Sequence, residues 1–274
     1  MSNLTTVREL KGLLDNPLVQ EKLKAIVGKN IGAFTTSVVQ ITSQNDMLSK
    51  AEPNSILGAA MTAATLNLPL NNALGFCYVV PFNEKQKDGS YKVKAQFILG
   101  SKGYIQLAQR SNQFETLHTT DVREGEILSK NRLTGKIEFQ WTEDDDERNK
   151  KQIIGYVAYF KLLNGYEDTL FMTAKEMEAH AKKFSQTYKK GFGVWKDDFP
   201  SMATKTMIKL LLSKKVPLSI ELETAVRTDQ AIVNELGEAE DVTYADNETP
   251  EVDPELERMK LLVDDVKTME DAEF

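Results

Sequence analysis

The 274-residue chain has one cysteine, two histidines and no apolar run approaching the roughly 20 residues that span a bilayer. Each shortage excludes something. A lone Cys77 rules out an intramolecular disulfide, and in a strand-like segment it reads as a small core side chain rather than a reactive thiol. His118 and His180 stand in no His-x-x-x-His or Cys-His spacing, which argues against a zinc site. No GxxxxGK(S/T) loop is present, which argues against a recombinase driven by ATP hydrolysis. The opening MSNLTTVREL lacks the apolar segment of a signal peptide, so the expectation is a cytoplasmic protein that is not membrane-bound.

Basic charge also looks scarce, with a formal net charge of -7, until it is resolved along the chain. Residues 229–274 hold 16 Asp or Glu against 3 Lys or Arg, a net of -13, which leaves +6 for residues 1–228. Between Lys182 and Lys215 there are 9 lysines against only Asp197 and Asp198. Charges farther apart than a Debye length of about 8 to 10 Å are largely screened, so a polyanion meets this local excess rather than the average.

Two segments combine cations with a helical apolar stripe. After Pro200, the run MATKTMIKLLLSK is expected to form a helix capped by Ser201 and ended by Pro217. Lys205 and Lys209 share one edge of it, and Met207, Ile208, Leu211 and Leu212 supply the stripe that anchors it. In GSKGYIQLAQRS, Lys102, Gln106 and Arg110 recur at i, i+4 and i+8. Gly100 and Gly103 flank that helix start, where free N–H groups can hold a phosphate or where the chain simply turns tightly. AHAKKFSQTYKKGFGVWK, residues 179–196, interleaves Lys182, Lys183, Lys189 and Lys190 with Phe184, Tyr188, Phe192 and Trp195. Cations for phosphates and aromatic faces for unpaired bases suit single-stranded DNA, at roughly 1 to 3 kcal/mol per stacked base. Trp195 is expected to be a packing anchor; Tyr188 and Phe192 fit either role. A row of lysines can also be a solvated helix face.

The organisation is α+β: a helical N-terminal lobe over residues 1–70, an α+β core with a central antiparallel sheet over 71–228, and an acidic, flexible tail over 229–274. Apolar spacing predicts one helix from Asn16 to Ser43 and another from Pro53 to Leu66. LGFCYVVPF and YKVKAQFIL, joined by a polar turn with Asp88-Gly89, predict a projecting hairpin. Strands are expected at residues 115–122, 126–129, 136–141, 152–162 and 168–172, with loops at 121–126 and 142–151. TEDDDERNK, residues 142–150, reads as a solvated hairpin tip, because a metal nuclease needs carboxylates convergent from separate rigid elements. Within the tail, Leu256, Met259, Leu262, Val263 and Val266 mark a short amphipathic helix after Pro254.

LGFCYVVPF, then KAQFILGSKGYIQLAQRS, then Trp195, Pro200 and MATKTMIKLLLSKKVP occur in an order that resembles the RecT family of phage-type single-strand annealing proteins, functional relatives of the lambda phage beta recombinase. The resemblance spans about residues 53–217. It implies an annealing-protein core, distantly Rad52-like, with ATP-independent annealing of complementary strands and no catalytic residue. It also implies a ring or helical filament, with subunit contacts from the N-terminal lobe, and a hairpin that wedges between bases. A host single-stranded DNA-binding protein reached through the tail, a partner 5'-to-3' exonuclease and a phage or prophage origin in a bacterial cell follow from it too. The expected DNA-contacting residues are Lys102, Tyr104, Gln106, Arg110, Lys182, Tyr188, Lys189, Lys190, Lys205, Thr206, Lys209, Lys214 and Lys215. No cofactor is required, and magnesium enters at most as an ion screening the strands. Rival readings are a passive single-stranded DNA-binding protein and, from another class, a metal-dependent DNA-processing enzyme.

Overall fold

The computed structural model describes residues 2–86, 89–229, 231–233 and 242–244. The N-terminal helices are α1 (Ser2–Leu14), α2 (Pro17–Val27), α3 (Ile31–Gln44) and α4 (Pro53–Thr65). Asn16 caps α2 by accepting from the Leu18 N–H at 2.9 Å, and Pro17 occupies the first turn, where its missing N–H costs nothing. The single helix expected over residues 16–43 is broken: Gly28 takes φ +57°, a left-handed conformation, and a turn of 3₁₀ helix separates α2 from α3. Helical spacing persists across the break, which is why the apolar pattern alone hides it.

α4 is buried from Ser55 to Ala64. Its small residues, Gly58, Ala59, Ala60, Ala63 and Ala64, let neighbouring elements approach closely. On one side it meets α1 and α2, and on the other the hairpin of β1 (Cys77–Lys85) and β2 (Tyr91–Leu99). The Ala95 N–H donates to Ser55 Oγ at 2.8 Å, and the Glu52 N–H donates to the Val93 carbonyl at 2.9 Å. One hydrophobic core therefore runs from Leu10 and Leu23 through Ile56 and Phe97 to Leu211, without interruption at residue 70.

The remaining strands do not form a single sheet. β3 (Phe114–Arg123), β6 (Ile153–Leu162) and β7 (Glu167–Thr173) make an antiparallel sheet with β6 in the middle. β4 (Ile127–Lys130) and β5 (Ile137–Phe139) form a separate hairpin, as do β8 (Ala231–Val233) and β9 (Val242–Tyr244). The expected loop over residues 142–151 contains a short helix, α6 (Asp145–Lys150), capped by Asp144 at 2.8 Å to the Glu147 N–H. It is docked rather than merely solvated: Arg148 Nε donates to the buried Glu126 carboxylate at 2.7 Å, and Arg148 also reaches Asp121.

α5 (Ser101–Arg110) follows β2 directly, and α7 (Ala174–Phe184) follows β7 through a capping box of Thr173 and Glu176. Two short helices, α8 (Gln186–Lys189) and α9 (Val194–Asp197), lead to α10 (Phe199–Lys215). Asp198 caps α10, accepting from the Ser201 N–H at 3.2 Å, so the helix starts ahead of the Ser201 cap that the sequence suggests. α11 (Ile220–Thr228) then begins at Ser219, beyond Pro217. Asp229, where the sequence places the start of a detached linker, is fully buried. The amphipathic stretch from Leu256 to Val266 lies outside the described residues.

Gly100 and Gly103 answer to close packing. A Cβ on Gly100 would lie 2.1 Å from the Gly75 carbonyl oxygen, and one on Gly103 would lie 2.2 Å from that of Phe76. The Gly100 N–H already donates to the Phe76 carbonyl at 2.8 Å. In an open helix Gly→Ala stabilises by up to about 1 kcal/mol. Gly103→Ala is expected instead to destabilise by about 1 to 3 kcal/mol, through overpacking against backbone that cannot move aside. Urea unfolding of the variant checks this, and a gain in stability would contradict it.

Candidate nucleic-acid interface

The amphipathic design of α10 places Ala203, Met207, Ile208, Leu211 and Leu212 in the core. That fixes where its lysines sit, and they do not all face solvent. Lys209 Nζ donates to Asp229 Oδ2 at 2.7 Å, and the Tyr104 hydroxyl of α5 donates to the same oxygen at 3.0 Å. The other oxygen, Oδ1, accepts from the Leu99 N–H at 2.8 Å. Lys205, one turn before Lys209, is half-buried and feels the same carboxylate. Burial by itself would raise the Asp229 pKa, but Lys205 and Lys209 outweigh it and hold the carboxyl below its ordinary value. Burial pushes the Lys205 ammonium down, and Lys209 adds to that, against the opposing pull of Asp229. Thr206 is buried on the same helix.

Other expected contact residues are also engaged within the protein. Arg110 donates to the Leu66 carbonyl at 2.9 Å and to that of Asn67 at 2.8 Å, capping the C-terminal end of α4. Lys215 pairs with Asp168 on β7 at 2.8 Å. Lys182 forms an exposed i,i+4 pair with Glu178 at 2.7 Å, of a kind worth little. Tyr188 is half-buried in an aromatic group with Trp195 and Phe199, ring centroids 6.1 to 6.3 Å from its own. Trp195, only 8% exposed, is the packing anchor that the sequence suggests. Phe184 and Phe192 remain exposed beside lysines. Lys102, Lys189, Lys190 and Lys214 are exposed and Gln106 half-exposed, with no ion pair among the described residues.

The structure also assembles a group that no linear motif marks. His180 on α7 lies at 4.5 Å from the Phe184 ring and within the fields of Lys183, Lys209 and Lys214. Burial first, and then these three lysines, push its imidazole down to about 4, so it is neutral at physiological pH. Lys183 of α7 and Lys209 and Lys214 of α10 thus all act on the one imidazole. Neither His180 nor Asp229 was recognisable as part of it from spacing: Asp229 lies 20 residues beyond Lys209, past Pro217, and His180 shows only the pattern of an ordinary helix residue. Among the described residues no three His, Cys, Asp or Glu side chains gather as a metal-holding group.

A family model described as RecT family matches residues 32–246. The chain is 42% identical over 217 residues to YqaK of Bacillus subtilis (strain 168), covering 79% of this chain and 70% of that protein. It is 29% identical over 225 residues to Protein RecT of Escherichia coli (strain K12), covering 79% of this chain and 78% of that protein.

The neutral His180 carries a pH signature. Above its ordinary pKa of about 6.5 the imidazole is neutral in folded and unfolded chains alike, and stability does not depend on it. As pH falls below that value the unfolded chain takes the proton and the folded one does not until about 4, so stability is lost through this window. Denaturant unfolding between pH 6.5 and pH 5 is expected to show this slope in the parent and a flatter one in His180→Gln. Equal slopes would contradict the assignment.

Proposed function

The chain belongs to the RecT family, the single-strand annealing proteins of recombination, and on that premise we propose that it binds single-stranded DNA along the face of α7 and α10, with α5 at its edge. The observation that carries this reading is the convergence of Lys183, Lys209 and Lys214 on His180, flanked by exposed Lys182, Lys189 and Lys190. Lys209 is balanced by the buried Asp229 and Lys182 by the exposed Glu178, whereas Lys183, Lys189, Lys190 and Lys214 are exposed with no ion pair among the described residues and leave a net positive local field. A phosphate backbone fits such a field and is held without regard to sequence. Exposed Phe184 and Phe192 offer faces for unpaired bases.

No step in this reading makes or breaks a covalent bond. Holding one strand by its phosphates leaves base edges free, and complementarity is read by the second strand itself. Neighbouring protomers along one strand raise the effective concentration of each contact, so a homo-oligomeric ring or filament is part of the proposal. Magnesium has the role of a counterion between two approaching strands. The host single-stranded DNA-binding protein and a 5'-to-3' exonuclease belong to the same proposal as partners.

The structure changes which variants test it. Replacing Lys209 would leave Asp229 buried without its ion partner, a loss of about 3 to 5 kcal/mol that would confuse binding with folding. Lys189→Ala with Lys190→Ala removes exposed cations only. Affinity for labelled oligothymidylate is expected to fall, and the slope of log K against log salt to flatten by about 1.4, near 0.7 per phosphate contact on single strands. Lys22→Ala with Lys24→Ala, on α2, serves as the comparison and should change neither. Mixing complementary strands then separates annealing from passive coating: a passive binder would hold both strands and slow their pairing. An unchanged salt slope in the Lys189 and Lys190 variant would remove this face from the proposal.

A further inference from the structure

The lysine row of α10 ends on an anion that the chain itself provides. Asp229 gathers a charged amine, a phenol hydroxyl and a backbone N–H at 2.7, 3.0 and 2.8 Å, with a second lysine close by. This donor set is not specific to a carboxylate: ammonium, hydroxyl and peptide N–H groups are also what proteins aim at phosphate oxygens. We infer that Asp229 occupies a DNA phosphate site and acts as an intrachain latch, which an entering strand displaces by putting one of its phosphates in the same place. The inference rests on the DNA-binding reading above and adds regulation to it.

Three observations support exchange rather than a fixed internal strut. The site is closed by Asp229 but not by Lys209: 27% of the Lys209 side chain stays exposed against 1% for Asp229, so the pair can be approached from the lysine side. Displacement replaces one anion with another, which avoids the large cost of leaving two amines together without a counter-charge. Asp229 is also the first residue after α11, at the root of the segment whose net charge is -13. β8, just beyond it, lies against β2 and α4. A tethered anion competes at an effective concentration set by its tether, on the order of millimolar for a short connection, and so needs little intrinsic affinity. When the latch opens, the root of the acidic segment leaves the lysine row at the moment the strand occupies it.

Amide hydrogen exchange on the full chain, with and without saturating oligothymidylate, tests this without any substitution. Release predicts that peptides covering the last turn of α11 and β8 exchange about tenfold faster in the complex, while α10 becomes more protected. Unchanged or slower exchange there, in a protein that demonstrably binds the oligonucleotide, overturns the latch and leaves the DNA-binding reading standing. Failure of the parent protein to bind oligothymidylate overturns both. As a second measurement, Asp229→Asn is expected to bind oligothymidylate about tenfold more tightly with an unchanged salt slope, because the parent complex makes the same phosphate contact once Asp229 is displaced. Equal or weaker affinity in a folded Asp229→Asn protein overturns the latch.

Discussion

A single buried carboxylate ties together the parts of this protein that bear on function. Asp229 joins the last residue of β2 and the first turn of the adjoining α5 to the middle of α10, which lies about 100 residues further along the chain. Buried ion pairs seldom add net stability over a well-packed apolar substitute, yet removing one partner is costly. That asymmetry makes Asp229 a constraint on geometry. Lys205 and Lys209 cannot turn away from this carboxylate without leaving charge uncompensated unless another anion takes its place, so in the chain without DNA α5 and α10 keep a fixed relation. The cations at the ends of both helices, Lys102 and Lys214, are carried on that frame.

The same constraint divides the lysines into two groups. Lys205, Lys209 and Lys215 are balanced by carboxylates from elsewhere in the chain, and Arg110 holds the end of α4. Lys102, Lys183, Lys189, Lys190 and Lys214 are left facing outward. The first group builds the face and the second gives it its field. A helix with lysines at i and i+4 looks the same in either case, because spacing fixes which side of a helix a residue occupies but not what packs against that side.

Much of the fold was legible. The hairpin, the five strands between residues 114 and 173 and the helix after Pro200 follow from period, β-propensity and proline placement, which are local. What escaped was non-local or conformational. The break at Gly28 depends on a left-handed glycine inside an otherwise continuous helical pattern. The docking of α6 depends on Arg148 finding Asp121 on β3 and Glu126 in the turn that follows it, more than 20 residues earlier in the chain. The acidic composition after Arg227 suggested a linker starting at Asp229, whereas that residue is bound by donors more than 100 positions earlier as well as by Lys209. Family membership was legible because the matching motifs coincide with elements that carry the core: LGFCYVVPF is mostly β1, which contributes Cys77 and Val79, and MATKTMIKLLLSK lies in α10, which contributes Met207, Ile208, Leu211 and Leu212.

The remaining acidity is separated from this face in sequence, so the charge of the whole chain says little about what the face attracts. Lysine footprinting tests that most directly: surface amines are acetylated with and without bound oligothymidylate, and each site is quantified by mass spectrometry. The account predicts protection of Lys183, Lys189, Lys190 and Lys214, with Lys22, Lys24 and Lys136 labelled equally in both conditions. Protection centred on Lys130 and Lys136, or spread evenly over the surface, would contradict it.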